Sequence, residues 1–117
     1  MSKPQPGAAL TYFQKIFGGV LGYNTAEYAI STTTALKIVT LNPDRLGLVI
    51  IVFGANNCYV SPLQSDVIVP QGIYLAASGG NVTMDFVHDL FMPTLEWWAL
   101  AVTGASTIWT LEMFKQG

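Results

Sequence analysis

From Thr32 onward the chain is cut by turn-forming residues at intervals of about ten positions, and this punctuation limits its fold more than any other feature. Asn42-Pro43-Asp44, Gly54-Ala55-Asn56-Asn57, Pro62, Pro70-Gln71-Gly72, Ser78-Gly79-Gly80 and Thr103-Gly104-Ala105 are turn signals, because Gly and Asn tolerate positive φ and Pro fixes its own φ. The segments between them are short and rich in β-branched and aromatic residues. Residues 32–41 alternate, with Leu36, Ile38 and Thr40 on one side and Lys37, Val39 and Leu41 on the other. Residues 46–53 are continuously apolar, as expected of a strand buried on both faces. Residues 58–61 read as its hairpin partner. Residues 66–69, 73–76 and 81–87 read as further strands, 88–93 as a loop, and 95–102 with 106–114 as a final pair. The pattern predicts an all-β chain, an antiparallel β-sandwich or barrel.

Residues 1–31 are expected to form an N-terminal arm ahead of a body over 32–117. Pro and Gly dominate residues 1–7, which predicts an extended start. Residues 8–20 fit a short helix. Leu10, Phe13, Phe17 and Leu21 fall close to one helical face, and Gly18, Gly19 and Gly22 would end it. The same residues also fit an extended apolar arm laid on a neighbouring subunit.

The 117 residues are 51% hydrophobic and only 10% charged, against roughly 25% charged in an ordinary soluble domain. So few charges predict a partly apolar surface, which marks a partner interface or a membrane contact. The membrane is the weaker option, because a spanning helix needs about 20 consecutive apolar residues and the longest strongly apolar stretch is 46–55. Residues 1–7 do not resemble a secretory signal, which fits cytoplasmic synthesis. The net charge is −2 and the five basic residues are scattered, so no nucleic-acid patch is expected. Cys58 is the single cysteine and reads as a small buried hydrophobe.

The chain offers little chemistry. His88, the only histidine, lies between Asp85 and Asp89, and the three could supply one nitrogen and two carboxylates to a metal. A polar loop is the simpler reading. Cys58 with His88 would be a nucleophile pair only if the thiol were accessible. Glu96 and Glu112 could approach across the final hairpin, yet nothing else supports glycoside hydrolysis. Gly18-Gly19-Val20-Leu21-Gly22 lacks the lysine and hydroxyl of a phosphate loop. No enzyme activity and no cofactor are expected. Asp44 and Arg45 flank a turn and read as an exposed pair, with an intersubunit ion pair as the alternative.

The aromatic residues say more. Trp97 and Trp98 are consecutive, so in a strand they face opposite sides. Trp109 alternates with Leu111 and Met113, while Ile108 faces the other way. Two-sided apolarity predicts a core on one face and a second covered face, with another subunit or the chain itself as cover. Sugar stacking on an outward tryptophan is a third use. Leu10, Phe13, Phe17, Leu21, Trp98 and Trp109 are therefore the candidate interface residues.

The order of segments resembles small virion proteins of tailed bacteriophages. The phrases that carry it are Asn42-Pro43-Asp44-Arg45-Leu46-Gly47-Leu48, Gly54-Ala55-Asn56-Asn57-Cys58-Tyr59-Val60-Ser61-Pro62, Gln71-Gly72-Ile73-Tyr74-Leu75-Ala76, Gly79-Gly80, Leu95-Glu96-Trp97-Trp98-Ala99-Leu100-Ala101, Gly104-Ala105-Ser106-Thr107 and Leu111-Glu112. They span about residues 35–112, and the arm lies outside them. The resemblance implies a β-sandwich structural protein of the virion, made in the host cytoplasm. It does not fix the station within the particle; the leading expectation is capsid decoration, as a homo-oligomer bound to the major capsid protein or other virion proteins. A head–tail, tail or fibre component and a glycan-binding surface module are the alternatives.

Overall fold

The computed structural model describes residues 20–68 and 71–116. Eight strands account for most of them: β1 (Val20–Ile30), β2 (Leu36–Val39), β3 (Arg45–Val52), β4 (Cys58–Ser61), β5 (Ile73–Leu75), β6 (Asn81–Asp85), β7 (Trp97–Ala101) and β8 (Ser106–Gln116). Two short helices, α1 (Gln64–Ile68) and α2 (Phe86–Asp89), and a 3-10 turn at Met92–Thr94 complete the framework. The strands form two antiparallel four-stranded sheets, ordered β1-β8-β3-β6 and β2-β7-β4-β5. Successive strands alternate between sheets except at β4–β5. This order is the eight-stranded jelly roll, so the expectation of an all-β sandwich holds.

Period-two alternation explains why these segments face each other. Leu48, Ile50, Val52, Met84 and Ile108 from the first sheet meet Ile38, Val39, Cys58, Val60, Leu75, Trp97, Ala99 and Ala101 from the second. All are buried, and Trp97 is the largest buried side chain. Its indole Nε1 donates to the Met92 carbonyl at 3.4 Å.

The strand pairing departs from the sequence reading in two places. β3 and β4 do not form a hairpin, and neither do β7 and β8; each pair is split between the sheets. The linking residues 53–57 and 102–105 instead carry the chain across the sandwich, whose sheets stand about 10 Å apart. Asn56 ties the two crossings together. Its amide donates to the Ala105 carbonyl at 2.9 Å, its side-chain oxygen accepts from Thr103 at 3.1 Å, and its carbonyl accepts from the Ser106 hydroxyl at 2.6 Å.

Two elements read as strand or loop are helical. The strand expected at 66–69 overlaps α1, and the end of 81–87 turns into α2. The Ser61 hydroxyl accepts from the Leu63 N–H at 3.1 Å and donates to Asp66 at 3.3 Å, a local side-chain turn ahead of α1 that competes with an extended chain. At α2, Asp85 is the N-cap and accepts from the His88 N–H at 2.8 Å, while Asp89 accepts from the Asp85 N–H at 2.9 Å.

The boundary of the arm also moves. β1 pairs with β8 in an unbroken register from Val20↔Gln116 to Ile30↔Ser106, so the sandwich reaches back to Val20 rather than starting at residue 32. The helix expected over 8–20 lies outside the described residues, except for Val20, which is in β1.

Arg45 overturns the reading of an exposed turn pair. It is 1% exposed and lies at one end of the sandwich. Its Nε donates to Glu112 at 2.7 Å, and its Nη2 also pairs with that carboxylate. Nη1 donates to the carbonyls of Pro93 and Leu95, both at 3.0 Å, and Nη2 to that of Thr40 at 2.6 Å. The guanidinium fork thus binds the β2–β3 turn, the 3-10 turn with the Leu95 that follows it, and β8 to one centre.

Candidate assembly surface

Cross-strand partners share a face, so the register of the first sheet fixes its outer surface. One row is Tyr23, Met113 and Gly47, the next is Thr25, Leu111, Val49 and Thr83, and the third is Glu27, Trp109, Ile51 and Asn81. The middle of this face is apolar. Val49, Ile51, Trp109 and Leu111 are half-buried, while Tyr23 is 74% and Met113 39% exposed. β3 is thus apolar on both sides, as its sequence predicts, but only its Leu48, Ile50 and Val52 side meets a core.

At one end this face runs into a shallow groove of about 270 Å³ lined by Leu21, Leu46, Phe86, Val87 and Met113, with Asp85 and His88 at its rim. Exposed Leu90 and Phe91 follow α2 nearby in the chain. Among the described residues no element covers the centre of this sheet.

The second sheet is different. α1 lies over its outer face against β4 and β7, and the Val67 side chain is buried there. Tyr59 and Tyr74 stack edge to face with ring centroids 5.5 Å apart. Of the two adjacent tryptophans it is Trp98 that points outward, but its Nε1 donates to Glu96 at 3.0 Å and the Lys37 ammonium sits 5.3 Å from its ring centre. Lys37 also pairs with Glu96 at 3.3 Å. These partners occupy the Trp98 surface that a sugar would stack on.

The candidate residues therefore separate. Trp109 and Leu21 belong to the outer face of the first sheet, Trp98 to the opposite side of the molecule. Leu10, Phe13 and Phe17 lie outside the described residues. Period-two patterning flagged the Trp109, Leu111 and Met113 stripe, whereas the Leu46 and Phe86 contributions depend on a β-bulge near Arg45 and on α2, which sequence spacing does not encode.

The remaining polar candidates have structural partners. The His88 ring Nδ1 lies 3.0 Å from both Asp85 carboxylate oxygens. The hydrogen bond to Asp85, then its charge, holds the imidazole above the ordinary histidine value. The same bonds to His88 hold the Asp85 carboxyl below the usual range. Among the described residues no group of three or more His, Cys, Asp or Glu is placed to hold a metal. Cys58 is fully buried in β4, and burial pushes its thiol up, while His88 is exposed on α2. Glu96 pairs with Lys37 and Glu112 with Arg45, on different sheets. No helix among the described residues is long and apolar enough to cross a membrane.

No family model and no curated protein matches the chain. Among solved structures, two are similar to it at low identity. One is described as "Bacillus endospore appendages form a novel family of disulfide-linked pili". It is 11% identical over 84% of this chain and 88% of that one, with a TM-score of 0.49. The other is a "Cyanophage Pam1 capsid asymmetric unit". It is 14% identical over 100% of this chain and 93% of that one, with a TM-score of 0.42. Neither likeness carries a functional argument at these scores.

Proposed function

We propose that this chain is a structural protein of a bacteriophage particle, a decoration or cement protein on the outside of the capsid shell, acting by packing and not by catalysis. The observation that carries the packing part is the outer face of the first sheet, where Val49, Ile51, Trp109, Leu111 and Met113 form an apolar surface beside the Leu21–Phe86 groove. The ordered phrases over residues 35–112 supply the virion part. The jelly roll is compatible with it, since capsid proteins use this architecture, but lectins and cupins use it as well.

The mechanism is burial of that face against shell proteins. At about 25 cal/mol per Å² of apolar area, a contact of about 200 Å² contributes about 5 kcal/mol before the costs of association. Many copies on one shell reinforce one another through multivalency. Leu10, Phe13 and Phe17, continuing into Leu21 at the groove, are the proposed reach to a neighbour, and the major capsid protein is the proposed partner.

Counting copies per particle by quantitative mass spectrometry tests the station. Decoration requires hundreds of copies, whereas a head–tail or tail ring requires about six or twelve. Absence from purified particles overturns the virion reading. The glycan-binding alternative is weakened by Lys37 over the Trp98 ring and Glu96 on its Nε1; specific array binding that is lost in Trp98→Ala would restore it.

A further inference from the structure

Each sheet ends in strands whose outer backbone N–H and C=O groups have no ladder partner in the described fold. Proteins blunt such edges by keeping them short, bulged or charged with Lys, because an exposed edge recruits another strand. Three of the four edges here follow that rule. β5 has three residues, β6 has five and runs straight into α2, and β2 has four with an irregularity between Lys37 and Val39.

β1 does not. It has 11 residues, and its register with β8 is unbroken along all of them. It contains no Pro, Lys or Arg, and Glu27 is its single charged side chain. Half of its residues, about five, aim their N–H and C=O away from β8. Water can hydrate such a row, but among protein partners an extended chain matches its alternating donors and acceptors.

We infer that the edge of β1 is a docking site for β1 of a second copy of this chain, joined antiparallel about a two-fold axis at Thr25. The β1 sequence is self-complementary in that register. Thr25 faces Thr25 of the second copy, a favourable cross-strand pair. Tyr23 faces Glu27 of the second copy and Leu21 faces Ala29, so the one charge meets a phenol and never its own copy. Two like strands in an isologous contact give a closed dimer instead of an open filament. The dimer carries one continuous sheet, β6-β3-β8-β1 followed by its mirror order, and joins two copies of the apolar outer face side by side. This inference does not depend on the shell reading, because the edge would pair in solution without other virion proteins.

Sedimentation equilibrium of the full chain over a wide micromolar concentration series tests it. The expected result is a monomer–dimer equilibrium. Thr25 is exposed, so Thr25→Lys and Thr25→Glu should keep the wild-type melting temperature. Each places like charges opposite one another across the axis and should weaken the homodimer by at least about tenfold. Mixing the two variants should restore dimers, now pairing opposite charges. Amide exchange gives a readout without substitution: protection along Val20–Ile30 should rise with wild-type concentration, and protection of β6 should not. A wild-type chain that stays monomeric overturns the inference. So does a dimer that Thr25→Lys leaves unchanged, or a chain that dimerises only once residues 1–19 are removed, since the arm of the same chain would then be the occupant.

Discussion

Replacing Arg45 by alanine should damage this protein more than any surface substitution. Five hydrogen bonds or ion-pair contacts converge on its guanidinium, from the Glu112 carboxylate and the carbonyls of Thr40, Pro93 and Leu95. Alanine would leave three carbonyls without a donor and the Glu112 carboxylate without a counter-charge, in a place that water reaches poorly. Breaking a buried pair from one side costs about 3–5 kcal/mol. A domain this small has only about 5–15 kcal/mol of stability in total. Each kcal/mol is worth about 4 °C in melting temperature, so the midpoint should fall by roughly 12–20 °C. Circular dichroism melts of the wild type and variant measure this directly. Arg45→Lys should recover only part of the loss, because an ammonium cannot reach four acceptors in a planar fork. Glu112→Gln, which keeps an acceptor, should cost less than Arg45→Ala. An Arg45→Ala midpoint within a few degrees of wild type would refute the reasoning that this residue locks the end of the sandwich.

Other outcomes follow from single contacts. Gly54→Ala should cost about 1–3 kcal/mol in denaturant titration, because the new Cβ would sit 2.5 Å from the Thr107 backbone nitrogen and against Ser106. His88 should titrate above the ordinary histidine value in an NMR titration and return toward it in Asp85→Asn. The sign is definite. The raised His88 value makes the pair favour the folded chain below the unfolded histidine value, and this is lost as pH rises through the folded value. The lowered Asp85 value makes its share present above the unfolded carboxylate value, and this is lost as pH falls through the folded one, so the pair is most effective in the window between them. Cys58 should resist a thiol reagent in the native protein and react once denatured, since the thiol is buried and its thiolate disfavoured.

Much of this fold could be read in the residue pattern. Alternation in β6, β7 and β8 set Trp97 and Trp98 on opposite faces and Ile108 opposite the Trp109, Leu111 and Met113 stripe, because a period of two is a local property of the chain; which face turns inward was settled only by the packing of the two sheets. The crossings were not legible. Residues 53–57 look like a hairpin loop whether they join neighbours in one sheet or bridge two sheets, and the choice is made by core packing and by Asn56 reaching Ala105 and Ser106. β1 was obscured because Tyr23 to Tyr28 mix polar and apolar residues weakly, and its pairing with β8 is remote in sequence. Arg45 was hidden for the same reason: its acceptors come from three separate segments, at Thr40, at 93–95 and at Glu112. The helices α1 and α2 depend on a side-chain turn at Ser61 and an N-cap at Asp85 that compete with short strand-like runs.

The central claim is that the outer face of the β1-β8-β3-β6 sheet packs against other proteins of a particle. Trp109→Lys tests it most directly, because Trp109 lies on that face while Ile108 holds the core on the other side. The variant should fold with a near-native circular dichroism spectrum and be missing, or strongly depleted, from purified particles assembled in its presence. Incorporation of the folded variant at the wild-type copy number would contradict the account.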